Sequence, residues 1–371
     1  MNSNVSIVRC KSYETELVYS AVKEALRLLG GITKFIRPKS RVLIKPNLLL
    51  PVEPNQAITT HPEVVRAIVK ILKEIDCKLF LGDSPTAWIK SSEDFNLLYR
   101  KTGIYDIAIQ EDVKLVRFDN PFWLKNFALT GWLKECDYLV SLPKFKTHNL
   151  TILTGAIKNL FGLVCGKYKL ELHKRYTDEK SFSNMLLDIY DLIKPALTVV
   201  DGIISLEGDG PATGGEIKYT GLIIAGSEAV AVDSILSLIM GLKPYMIPTN
   251  LEAERRSLGI TDTKNINILG EHLLDVIQPF KLPKPSFIKK IPPVFVKIAK
   301  GLIRFYPQIE KKRCKLCGAC IEVCPQKAII LKDGMIFIDY DKCIGCFCCQ
   351  ETCRENALRL KRSIFAKILG L

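Results

Sequence analysis

The sequence predicts an α/β fold, a mostly parallel and doubly wound sheet followed by a small α+β unit. Three observations carry that prediction. Short apolar runs alternate with longer stretches of helical periodicity over residues 1–270. Several of the apolar runs lead directly into polar, titratable residues. Near the C-terminus, eight cysteines fall into two copies of one spacing.

Strands are expected at residues 5–8, 41–45, 77–81, 114–117, 138–142, 197–200, 222–225 and 265–269. Helices are expected at 14–29, 63–75, 183–192, 228–239 and 251–258. Apolar strands joined by helices imply a parallel sheet covered on both faces. Thr60-His61-Pro62-Glu63 reads as a capping box with an early proline, opening the second helix. At 371 residues and 48% hydrophobic content, the chain is long enough for two or three domains with a sizeable core. We read residues 1–280 as the α/β domain, 281–312 as a basic, proline-containing linker and 313–371 as the cysteine-bearing unit with a basic tail.

In such a sheet, ligands bind outside the carboxyl ends of the strands. The expected strand ends lead into Lys45-Pro46-Asn47, Gly82-Asp83-Ser84-Pro85, Pro143-Lys144-Phe145-Lys146-Thr147-His148 and Asp201-Gly202, the last continuing to Glu207-Gly208-Asp209. Lys45, Lys144, Lys146 and His148 offer donors and positive charge for a phosphate or carboxylate. A lysine among other cations can also act as base or nucleophile. Asp83, Asp201, Glu207 and Asp209 are of the type used for general acid–base work or hard-metal binding. The bland alternative is surface charge and turn formation. A loop after His148 leads to a short helix with Lys158 and Asn159 facing the site. Cys165 reads as a small buried hydrophobe, and His61, His173 and His272 as structural residues. The glycines from Gly208 to Gly215 miss G-x-G-x-x-G, and no Walker A run exists, so nucleotide fingerprints are rejected.

The cysteine runs are Cys314, Cys317, Cys320, Cys324 and Cys343, Cys346, Cys349, Cys353, both C-x2-C-x2-C-x3-C. That spacing ligates cubane iron–sulfur clusters, the fourth cysteine of each run serving the other cluster. The expectation is one [4Fe–4S] cluster on Cys314, Cys317, Cys320 and Cys353, and a second on Cys343, Cys346, Cys349 and Cys324. The repeat extends beyond the cysteines, Ala328 answering to Ala357 and Leu331 to Leu360. Asp333-Gly334 is expected to turn a hairpin between them. Structural zinc uses two cysteine pairs split by a longer loop, which does not match. The segment resembles the two-cluster bacterial ferredoxin domain, with Arg354 where a second proline is common. A cation there should raise the cluster potential. Cys348 reads as a spectator thiol.

The net charge is +14. Residues 281–313 hold ten Lys/Arg against one acid, with a short amphipathic helix expected at 294–305, and residues 361–371 are similarly basic. An anionic membrane surface or an acidic redox partner would suit these segments. The favoured reading is a basic surface whose apolar side packs on the large domain. Basic and aromatic residues do not interleave as in nucleic-acid binders. Oxygen-labile clusters and scattered thiols call for a reducing compartment, and the first residues lack the pattern of a secretory signal, so the cytoplasm is expected.

The stretches VLIKPNLL, TTHPEVVRAIV, GDSP, SLPKFKTHNLTILTGAIKNLFG and AGSEAVAVD resemble the domain-of-unknown-function 362 family over about residues 5 to 270. The resemblance implies an α/β domain paired with iron–sulfur clusters and supplies no reaction. Lys45, Asn47, Lys144, Lys146, His148, Lys158, Asn159 and Asp201 match its recurring positions. With Asp83 added, the site candidates are Lys144, Lys146, His148 and Asp201 as catalytic groups and Lys45, Asn47, Asp83, Lys158 and Asn159 as ligand-binding groups. These residues suit two readings: an electron-transfer protein whose large domain binds an anionic ligand or docks a redox partner protein, and a redox enzyme acting on a bound anion. A ligand pocket close to the clusters favours the second.

Overall fold

The structure is a computed structural model that describes residues 2–283 and 305–363. The basic tail beyond residue 363 and the helix expected at 294–305 lie outside the described residues, save Phe305, which opens a strand.

Among the described residues, ten strands form one large sheet, in the order β12-β1-β11-β10-β7-β2-β3-β4, with β8 on β10 and β9 on β8. These are β1 (Ser3–Arg9), β2 (Arg41–Pro46), β3 (Lys78–Leu81), β4 (Lys114–Leu115), β7 (Tyr138–Leu142), β8 (Lys144–His148), β9 (Ile152–Thr154), β10 (Leu197–Gly208), β11 (Gly215–Gly226) and β12 (Ile266–Gly270). Between β4 and β7 a separate hairpin joins β5 (Pro121–Leu124) to β6 (Phe127–Thr130). The central run β10-β7-β2-β3-β4 is parallel, whereas β11 is antiparallel to both β10 and β1.

Successive strand residues serve opposite cores, which is why the strands read as unbroken apolar runs. On β2, Val42 and Ile44 pack with Val18, Val22, Val65 and Ile68 of the helices Thr15–Leu28 and Pro62–Lys73. Leu43, between them, packs into the other core with Phe182 and Leu186 of Glu179–Leu192 and Ile235 of Ala229–Ile239. Helices therefore cover both faces.

Several sequence expectations are corrected. β10 does not stop near residue 200 but runs to Gly208, laddered against β11. Its polar residues are satisfied there, Ser205 by the Thr220 hydroxyl and Glu207 by Lys218 at 3.5 Å. Asp201 consequently lies inside a strand, beside a bulge between Gly202 and Ile204. The strand expected at 114–117 keeps two residues. Thr60 caps no helix: its hydroxyl accepts the Asn47 amide at 2.8 Å and donates to the Leu142 carbonyl at 2.6 Å. His61 is the cap, its Nδ1 accepting the Glu63 amide at 3.2 Å.

The C-terminal unit begins within the expected linker. β13 (Phe305–Ile309) pairs with β16 (Leu358–Arg362), and β14 (Ile329–Lys332) with β15 (Met335–Ile338). Asp333 and Gly334 turn the latter hairpin at φ 50° and 69°, as type I′ geometry requires. The internal repeat is visible in the backbone: Leu316 and Gly345, Gly318 and Phe347, and Lys327 and Asn356 are all left-handed, each pair spaced as Cys314 is from Cys343.

This unit covers the carboxyl-end edge of the large sheet. Thr213, in the turn between β10 and β11, donates to the Cys353 carbonyl at 2.8 Å, and Asn149 donates to Gln350 at 3.0 Å. Lys90 pairs with Glu322 at 2.8 Å, and the Arg354 guanidinium lies 4.3 Å from the Trp88 ring centre. Among the described residues no helix is long and apolar enough to cross a membrane.

Candidate functional site between the two units

The residues expected to form one site separate into three groups. The first is a buried ion-pair cluster. Parallel register sets Lys144 of β8 beside Asp201 of β10, and their Nζ–Oδ2 distance is 2.8 Å. The Tyr13 hydroxyl donates to Asp201 Oδ1 at 2.7 Å and accepts from Lys144 at 2.8 Å, while the His61 amide donates to Oδ2 at 2.8 Å. Tyr13 and His61 stack at 3.5 Å. Burial lowers Lys144, with Asp201 opposing, and brings His61 to about 4. Lysine and carboxylate neutralise each other here, and neither lines the cavity that adjoins the C-terminal unit.

The second group walls that cavity, about 80 Å³ in volume, at the junction. Lys45, Asn47, Asp83, Lys158 and Asn159 all line it, as do Lys169 and His173 from helix Tyr168–Arg175. The C-terminal unit closes it with Val323, Cys348, Glu351 and Thr352. Lys45 pairs with Asp83 at 2.7 Å, and both are buried. A side chain on Gly162 would collide with that pair, so the backbone approach needs glycine. Lys169 donates to the carbonyls of Ser84 and Pro85, and burial brings it to about 7. Lys158 has no acceptor within hydrogen-bond or ion-pair reach among the described residues; its ammonium lies over Phe161, 4.9 Å from the ring centre. Burial lowers its pKa, Glu351 pulling the other way.

The turn that presents Lys158 and Asn159 is anchored by Asp233, which accepts the Ala156 and Ile157 amides at 2.6 and 3.1 Å. Burial outweighs these bonds and pushes Asp233 up to about 7. Gly155 leaves room for the carboxylate.

The third group spans the junction. His148 Nδ1 accepts the Leu150 and Thr151 amides at 3.1 and 3.3 Å, so its proton resides on Nε2, 3.1 Å from Glu351 Oε1. Burial lowers the His148 pKa, with Glu351 opposing. For Glu351 burial alone would raise the carboxyl, but His148 and Lys158 overcome it and bring it to about 2. Lys146 sits apart, bonded to the Ile58 carbonyl at 2.5 Å and brought to about 7 by burial.

Beside these lie the cysteines. Cys314, Cys317, Cys320 and Cys353 line one cavity of about 260 Å³, together with Trp88 and Arg354. Cys324, Cys343, Cys346 and Cys349 line a second, smaller one. Among the described residues, no three His, Cys, Asp or Glu converge as on a single metal ion. The repeat recurs in the hydrogen bonds, with the Ala328 amide on Cys324 Sγ and the Ala357 amide on Cys353 Sγ, both 3.2 Å. Four soft sulfur ligands in each set, one of them accepting a backbone amide, fit an iron–sulfur cluster. Thr352 lines both the first of these cavities and the lysine-walled one.

Sequence reasoning did not find Tyr13, Lys169, Asp233 or Glu351, and took His173 as structural. Asp233 left a signal: a lone acid in the apolar run Ala229–Ile239. Cys165 is buried, as expected for a small hydrophobe, and burial pushes its thiol up to about 11.

Residues 42–237 match the family described as domain of unknown function DUF362. The chain belongs to that family. Residues 306–354 match a 4Fe-4S dicluster domain, so this DUF362 protein carries iron–sulfur cofactors. It is 32% identical to the thylakoid-associated protein sll1697 of Synechocystis over 291 residues, covering 76% of this chain and 89% of that protein. Over 42 residues it is 43% identical to the ketoisovalerate oxidoreductase subunit VorD of Pyrococcus furiosus, 11% of this chain and 40% of that subunit. Among solved structures, the lactate racemase apoprotein of Thermoanaerobacterium thermosaccharolyticum aligns over 65% of this chain and 57% of its own, at TM-score 0.40 and 13% identity. That likeness is too distant to bear on fold or activity.

Proposed function

We propose that this DUF362 protein is an electron-transfer protein that carries two [4Fe–4S] clusters and binds an anionic small molecule in the lysine-walled cavity beside them. One cluster rests on Cys314, Cys317, Cys320 and Cys353, the other on Cys343, Cys346, Cys349 and Cys324. The lining of two separate cavities by those two sets supports the assignment. On this reading the C-terminal unit has a ferredoxin-like α+β fold, and the large sheet is doubly wound.

The observation that carries the reading is the double position of Thr352, on the wall of a cysteine cavity and on the wall of the lysine cavity. When bound, the clusters take up and release single electrons. The chain's own residues do the rest. Lys45, Lys158 and Lys169 outnumber the carboxylates Asp83 and Glu351 around the cavity and attract an anion. Lys169 Nζ, near neutrality, can give or take a proton there. Val323 and Thr352 close the cavity on the side of the cysteines and limit water. A redox partner protein supplies the electrons.

The second reading, a redox enzyme acting on a phosphate- or carboxylate-bearing substrate, is favoured by the same closeness of cavity and cysteines. Buried, unpaired Cys10, Cys77 and Cys165 suit the cytoplasm. Peripheral membrane contact is the alternative raised by the thylakoid-associated relative.

The test is anaerobic purification with iron and sulfide analysis, followed by mass spectrometry of co-purifying anions. Both clusters and an anion that perturbs the electron paramagnetic resonance of the reduced protein are expected. Protein without iron and acid-labile sulfide would overturn the reading.

A further inference from the structure

The lysine cavity also says what kind of anion it takes, an inference that rests on its being the ligand site. Asn159 Oδ1 faces Lys45 Nζ at 3.2 Å, and an ammonium only donates, so this atom is an oxygen. It is also 3.1 Å from Asn47, whose facing atom must then be Nδ2. The orientation of Asn47 is thereby fixed. Its Oδ1 is turned away, buried and without a partner.

Two further groups on the same wall are unmatched. Lys158 is a donor with no acceptor within hydrogen-bond or ion-pair reach among the described residues. His173, 5% exposed and held between Phe161 and Phe182, has a buried Nδ1 with no partner. Burial brings His173 to about 3, so it faces the cavity as a neutral imidazole. Buried polar atoms are rarely left unpaired, because each costs free energy comparable to a lost hydrogen bond. A simple anion would satisfy Lys158 but would leave the Asn47 oxygen facing an acceptor.

We infer that the cavity is built for a small oxyanion carrying its own hydroxyl or protonated oxygen, with Lys158 binding the charge and Asn47 Oδ1 and His173 reading the hydrogen. Room for about five water-sized groups limits such a ligand to the scale of a hydrogen phosphate or a short 2-hydroxycarboxylate.

The probes are acetate, glycolate and inorganic phosphate, titrated calorimetrically into the anaerobic holoprotein. Glycolate or phosphate should bind at least tenfold more tightly than acetate, and whichever is tighter names the source of the shared chemistry. Asn47→Ala should bring glycolate down to the level of acetate. Lys158→Gln should lose all three, with the cluster absorbance intact. Equal affinities for acetate, glycolate and phosphate in the unmodified protein overturn the inference without needing any variant to fold. Tight glycolate or phosphate binding that leaves the reduced clusters undisturbed would instead refute the coupling of the ligand site to the clusters and leave this inference standing.

Discussion

The Nε2 of His148 stands 3.1 Å from the carboxylate of Glu351, closing a buried imidazole of one unit against the helix Cys348–Thr352 of the other. Glu351→Ala should therefore loosen the junction. It removes the nearest counter-charge from Lys158 and the carboxylate that faces the His148 Nε2 proton, at a cost of about 1–3 kcal/mol. Hydrogen exchange at the Leu150 and Thr151 amides, which bond His148, should speed up; unchanged protection would mean that the pair does not hold the units together.

Lys144→Met should act on stability before ligand binding. Asp201 and the Tyr13 hydroxyl would stay buried without their cation, at a cost of about 3 kcal/mol. Lys144 does not line the lysine cavity. Chemical denaturation should show the loss, while anion affinity of the folded protein should stay within about twofold.

Anion binding should weaken as pH rises. Burial lowers Lys158, so the empty protein loses this charge at a lower pH than an ordinary lysine would. A bound anion favours the charged form and raises the pKa again. Acetate affinity should fall as pH rises in the unmodified protein, with Lys169, brought to about 7 by burial, adding to the fall near neutrality. A flat profile would remove Lys158 from the binding step.

Asp233 supplies a pH signature of its own. Its folded-state value, about 7, lies above the 3.8 of an ordinary aspartate, so the folded protein holds a proton that the unfolded chain releases. Its contribution is complete below about 4 and falls as pH rises towards 7. Asp233→Asn should flatten that part of the stability profile. It should also cost about 1–3 kcal/mol, because the amide group cannot accept both the Ala156 and Ile157 hydrogens.

Exchanging the fourth cysteines should empty the opposite cluster. Cys353→Ala should lower the iron content by about half and spare the signal belonging to the run from Cys343, while Cys324→Ala should do the reverse. Loss of the signal from the mutated run itself would disprove the crossed assignment.

How much the sequence made legible depends on the range of the interactions. Val42, Leu43 and Ile44 announce a buried strand because both faces meet a core, and Asp333-Gly334 announces its turn locally. The far half of β10 was hidden, because Ser205 and Glu207 look like loop residues until Thr220 and Lys218 are brought alongside. Lys144 and Lys146 read as exposed donors, since nothing local shows that Asp201 and the Ile58 carbonyl will satisfy them. Tyr13 reaches Asp201 across most of the domain's sequence, a pairing that no spacing rule indicates. Glu351 was overshadowed by the cysteines around it.

The lysine cavity belongs to neither half of the chain. Severed from the dicluster domain, the DUF362 domain would keep Lys45, Lys158 and Lys169 but lose the wall formed by Val323, Cys348, Glu351 and Thr352. The isolated dicluster fragment would keep its thiols and have no seat for an anion. Ligand capture is thus a property of the joined polypeptide, and a genetic split at the linker would be expected to yield two pieces that are each mute towards it.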